Sequence, residues 1–225
     1  MSVLLVNPNT NSSTTAAMVE IALSAGTGLD FAGRTAPFGV SMITVPEALA
    51  TGARAVLTLL EEAFARREPL EGVIIAAFGD PGLDEARRRL TVPVCGIGEA
   101  SFHEAAAGGR RFAVATTTPA LEDAIAARVA RAGLAAQFAG TVFTEADPVL
   151  AVAEEARLIV LLKVAVERAA RSGAEAVIIG GGPLARAAVQ LHGVSAIPII
   201  EPVPAAARRI SSLIGERASG APLPQ

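Results

Sequence analysis

One short plan is written twice along this chain, and no other feature restricts the possible folds as much. "VLLVNPNT" at 3–10 is echoed by "RFAVATTTP" at 111–119, and "GVIIAAFGDP" at 72–81 by "AVIIGGGP" at 176–183. "VPVC" at 92–95 is then echoed by "IPII" at 197–200. Three paired motifs in the same order predict two equivalent halves related by a pseudo-twofold axis. The repeated runs are short, continuous and rich in Val and Ile, which suits strands buried on both faces of a parallel sheet.

Ala-rich stretches of helical length separate these runs, so the fold class is α/β. We expect strands at 2–6, 29–35, 72–76, 92–95, 112–115, 138–143, 176–179 and 196–200. Helices are expected at 12–25, 46–67, 81–90, 99–107, 119–132, 148–172, 183–190 and 203–215. The expected architecture is two pseudo-symmetric Rossmann-like lobes with parallel sheets and a cleft between them. The first lobe takes residues 1–97 with 205–225, the second 98–204.

Asn7-Pro8, Asp80-Pro81, Thr118-Pro119, Gly182-Pro183 and Glu201-Pro202 each follow an apolar run. Proline suits the first helical position, where its missing amide would be unpaired anyway. Asn, Asp, Thr and Gly suit the turn before it. Such junctions leave free amides at the carboxyl ends of parallel strands, where α/β proteins bind ligands. Two facing sets make a cleft of amides and hydroxyls suited to a carboxylate or an imide.

Composition removes several functions. A net charge of −3 offers no electrostatic footprint for nucleic acid. The short runs Arg87–Arg89 and Arg110–Arg111 read as solvated faces. Absence of Trp and Tyr argues against a stacking platform for bases or sugars. No apolar run approaches the roughly 20 residues that span a bilayer. No basic leader precedes "SVLLVNPNTN", so we expect a cytoplasmic protein. Cys95 is the single cysteine, which excludes an internal disulfide and a Cys-based zinc site, and no metal is expected. A mean hydropathy of +0.49 and Ala-rich helices leave apolar surface to cover, which predicts a homo-oligomer.

In this order "LLVNPNTN", "FGDPGLDEAR", "VPVCGIGEAS", "FAVATTTPAL" and "AVIIGGGPLA" followed by "IPIIEPVPAAA" resemble the aspartate/glutamate/hydantoin racemase superfamily. The likeness is strongest to its hydantoin and allantoin racemase branch and covers nearly the whole chain. It implies a cofactor-independent racemase in which two cysteines, one per lobe, exchange a proton on opposite faces of the substrate α-carbon. Those cysteine positions fall on Ala77 and Gly181, and neither side chain exchanges protons. The related arylmalonate decarboxylases keep the second cysteine, whose position is again Gly181.

Substitutes must come from elsewhere. Asp80 lies three residues beyond Ala77, but an N-capping carboxylate is a poor base. Cys95 reads as a small hydrophobe. Glu99 and Glu201 follow strands expected to end at the cleft and could form an acid–base pair, although contacts to nearby amides explain them as well. His103 reads as a partly exposed helix residue, His192 falls at the far end from the cleft, and Lys163 sits inside a long helix. "GGG" at 180–182 lacks the spacing of a nucleotide loop. The resemblance assigns substrate contacts to Asn7 and Thr116–Thr118; Asn9, Thr10 and Gly182 complete the candidate binding set. The expected ligand is a small amino-acid-like carboxylate or a hydantoin-type cyclic amide. A lyase or hydrolase on the same scaffold, or a non-catalytic ligand-binding protein, are the alternatives.

Overall fold

The computed structural model describes residues 2–145, 147–191, 193 and 195–219. Two four-stranded sheets, all parallel, account for every strand among them. The first contains β1 (Ser2–Asn7), β2 (Phe31–Thr35), β3 (Leu70–Ile75) and β4 (Val94–Gly96), in the order β2-β1-β3-β4. The second contains β5 (Phe112–Thr116), β6 (Phe138–Phe143), β7 (Ala176–Ile179) and β8 (Ile199–Ile200), in the order β6-β5-β7-β8. The same order in both sheets is the duplication seen in the sequence.

Period-two side-chain alternation sorts each strand between two cores. Val3, Leu5 and Ile74 of the first sheet, with Phe112, Val114 and Ile178 of the second, enter one central core shared by both halves. Leu4, Val6, Val73 and Ile75 point the other way, under α2 (Pro46–Ala65) and α3 (Leu83–Arg89). Ala113, Ala115, Val177 and Ile179 do the same under α7 (Glu155–Arg171) and α8 (Ala185–Gln190). Both strand faces are therefore covered, as the unbroken apolar runs require.

The helices of the central layer are α1 (Ser12–Leu23), α4 (Ile97–Ala105), α5 (Glu122–Arg131) and α9 (Pro202–Ala218). Two of them change sides. Helix α4 leaves the first sheet and packs on β7 and β8; α9 leaves the second sheet and packs on β3 and β4. The two helices also pack on each other, so each half is closed by a helix next to the other half's last strand.

Three sequence expectations differ from the structure. The single helix expected over 148–172 is broken into α6 (Pro148–Ala153) and α7 by Glu154, whose φ of −119° and ψ of 92° are extended. Helix α7 lays Leu158, Leu162, Ala165 and Ala169 on the sheet, whereas α6 buries only Ala151. The strand expected at 196–200 is formed only at 199–200, although the Val177 amide also donates to Pro198 O at 2.9 Å. Helices expected to start at 119 and 183 begin as 3₁₀ turns, Pro119–Leu121 and Gly182–Leu184, before α5 and α8. No helix among the described residues is long and apolar enough to cross a membrane.

Candidate active site

The two halves present matching backbone at one end of the sheets. The amide of Ala76 donates to Val6 O at 2.8 Å, and that of Gly180 to Ala115 O at 2.9 Å. Ala36 donates to Asn7 O and Thr144 to Thr116 O, both at 3.0 Å. The amide of Asp80 closes a turn onto Ala77 O, and that of Leu184 onto Gly181 O, again both at 3.0 Å. Ala77 is thus the counterpart of Gly181, Asn7 of Thr116, and Asp80 of Leu184. Ala77 and Gly181 face the same cleft.

That cleft is tight, about 40 Å³, room for a water or two. Ala76, Ala77 and Phe78 form one wall; Thr116–Thr118 and Gly180–Gly182 form the other. Asn9, Met42, Ile43, Leu121, Ile125 and Leu184 complete it. Every one of these side chains is uncharged. Met42 and Ile43 come from the irregular segment after β2, Leu121 from the 3₁₀ turn before α5, and Ile125 from the first turn of α5. Sequence reasoning missed these apolar residues and Phe78. The available signal was "FGVSMITV" at 38–45, an apolar run with no strand partner.

The polar candidates divide. Asn7 is fully buried, and its amide nitrogen donates to Asn9 Oδ1 (2.9 Å), Asn11 O (3.1 Å) and Thr15 Oγ1 (2.9 Å). It braces the loop and does not line the cleft. Asn9 does line it, with Oδ1 occupied by Asn7 and by the Asn11 amide, so its Nδ2 is the group left for a ligand. Thr10 is used through its amide, which donates to Val40 O at 2.9 Å. Thr116 Oγ1 donates to Gly180 O at 2.8 Å and so stitches β5 to the Gly180–Gly182 turn. Thr117 and Thr118 border the cleft with Gly182.

None of the proposed substitute bases lies on the cleft lining. Asp80 turns away: its Oδ1 and Oδ2 accept from the amides of Gly98 (2.8 Å) and Glu99 (2.7 Å) at the start of α4. It therefore caps α4 from outside, while Gly82 precedes its own helix α3. Burial pushes the Asp80 carboxyl up to about 6, against the pull of Arg128 and the two amides. Glu99 is held by both nitrogens of the Arg87 fork, at 2.7 and 3.0 Å, and by Arg128 at 3.2 Å. Cys95 is buried with its Sγ 3.6 Å from Ala206 O, and burial pushes its thiol far up. His103 is exposed on α4, and the packing around its ring lowers its basicity. Glu201 precedes α9 without capping it through its side chain. Lys163 is on α7, and His192 lies outside the described residues. Among the described residues no group of three or more His, Cys, Asp and Glu could hold a metal ion.

The model of the Asp/Glu/hydantoin racemase family matches residues 3–210. The chain belongs to that family. It is 30% identical to the hydantoin racemase of Paenarthrobacter aurescens over 221 residues, covering 95% of this chain and 91% of the relative. The structure of allantoin racemase from Klebsiella pneumoniae superposes with a TM-score of 0.84 at 28% identity, covering 100% of this chain and 90% of the other. Allantoin racemase from Pseudomonas fluorescens gives 0.85 at 26% identity, covering 100% and 98%. The cleft's two central side-chain positions, Ala77 and Gly181, carry no group that titrates.

Proposed function

We propose that this racemase-family protein acts on a hydantoin- or allantoin-like cyclic amide, without a cofactor and in the cytoplasm. The uncharged lining supports a neutral ring over a free carboxylate. A carboxylate entering so apolar a cleft would lose its hydration with no cation to meet it, which is costly. A cyclic amide needs only donors and acceptors, available from the hydroxyls of Thr117 and Thr118 and the amide groups of the Asn9 side chain and the Gly182 backbone. Those same amides would polarise a ring carbonyl and spread the charge of an α-carbanion into an enolate. Because the cleft is smaller than such a ring, entry requires the segment carrying Met42 and Ile43 to move aside.

Proton exchange on this reading does not run through paired thiols. Amide polarisation supports exchange with solvent at a rate well below that of a two-thiol site. A purely ligand-binding role is the second reading, favoured by the lack of any titrating group on the lining. Deuterium incorporation at the α-carbon of a 5-substituted hydantoin, followed by NMR, separates the two. The expected result is slow exchange that survives Cys95→Ala. Binding without exchange would establish the second reading, and exchange abolished by Cys95→Ala would overturn both.

A further inference from the structure

We propose that Asp80 and Arg128 are positioning residues that tie the two walls of the cleft together and set its width. The proposal rests on the cleft being the ligand site. Asp80 ends the turn that carries Ala77 and Phe78, one wall, and both of its carboxylate oxygens are bound to the start of α4. Arg128 lies on α5 one turn beyond Ile125, which belongs to the opposite wall. Its Nη1 meets both oxygens of Asp84 at 3.0 and 3.1 Å, its Nη2 meets Glu99 at 3.2 Å, and its Nε lies 3.8 Å from Asp80 Oδ2. One guanidinium therefore touches or approaches three carboxylates from the first wall's side.

The internal duplication shows that the fold does not demand this arrangement. The equivalent turn of the second half closes with the same 3.0 Å hydrogen bond, yet carries Leu184 where the first carries Asp80. Leu184 has no polar side-chain atom with which to cap α9, the counterpart of α4, as Asp80 caps α4. The closing hydrogen bond thus needs no carboxylate, although Asp80 has a left-handed φ of 49°, which favours Asp or Asn, whereas Leu184 has φ −88°. Room is reserved for it as well: a Cβ on Gly96 would stand 2.2 Å from the Asp80 carboxyl, and one on Gly98 2.8 Å. Arg128 Nε is buried without a hydrogen-bond partner, a cost that folding alone gives no reason to keep.

Two variants test the pair in the full-length protein. Arg128→Met keeps the length and removes the charge, and Asp80→Asn removes the carboxylate with a residue that tolerates the φ of 49°; Arg128→Lys is the conservative control. Hydrogen exchange on the ligand-free protein reads wall position directly. We expect protection at 76–83 and at 117–125 to fall about tenfold in Arg128→Met and Asp80→Asn, with the central strands unchanged. Partial recovery is expected in Arg128→Lys. Unchanged walls, or a uniform loss across the chain, would overturn the proposal. In titrations with 5-methylhydantoin the same variants should bind about tenfold more weakly than the wild type; equal affinity would also overturn it. A wild type that binds no hydantoin while the exchange result holds would refute the cleft assignment and leave the clamp standing.

Discussion

Gly181 has φ 140° and ψ 131°, a backbone that only glycine adopts without strain. A Cβ there would also press on Leu184 at 3.3 Å. Restoring a thiol at this position therefore strains the turn. We expect Gly181→Cys to lose about 1–3 kcal/mol of unfolding free energy in denaturant titrations. Ala77→Cys, with no such backbone demand, should cost clearly less. A second residue-scale prediction concerns Asp80. Its carboxyl is raised from the ordinary 3.8 to about 6 by burial, so the folded state holds that proton more tightly than the unfolded chain. This contribution is fully present below pH 3.8 and is lost as pH rises through about 6, and amounts to about 3 kcal/mol. Stability measured from pH 4 to 7 should fall more steeply in the wild type than in Asp80→Asn; parallel curves would contradict the burial. Ala77 and Gly181 were both legible in the sequence, because motif order locates a strand end. The direction of Asp80 was not, since reaching α4 depends on Gly96 and Gly98, which sit on a different strand end.

Among the elements, the exchange of α4 and α9 between sheets carries the energetics. Ile210 of α9 is fully buried over β3, directly above Gly72, where a Cβ would stand 2.9 Å from Ile210 Cγ1. Ile210→Ala should cost about 2–5 kcal/mol, since a void opens between α9 and the sheet. Adding Gly72→Ala should recover part of that loss, a non-additivity readable in a double-mutant cycle. Strand and helix identities were legible because Val/Ile runs and Ala-rich stretches have distinct lengths. The break at Glu154 was not: "AVAEEARL" at 151–158 reads as continuous helix, and only the placement of Leu158 and Leu162 on the sheet distinguishes α7 from α6. The apolar lining from Met42 and Ile43 escaped for a similar reason, because an irregular segment has no periodicity to read.

At the scale of the whole molecule, the outer face bears Val149, Leu150, Val160 and Val164, about half exposed or more, along α6 and α7. We propose that this face is covered in a homo-oligomer. Sedimentation at micromolar concentration should show a species larger than 22.8 kDa, and Val160→Glu with Val164→Glu should shift it toward the monomer. The crossing of α9 has a consequence for how the chain comes to exist at all. During synthesis the first half leaves the ribosome with β3 and β4 made but with the helix that covers them still uncoded into protein. Ile74 and Cys95 remain without Ala206, Ile210 and their neighbours until synthesis has passed residue 210. The first half therefore cannot complete its core before α9 is made, and its apolar strands stay open to chaperones until then.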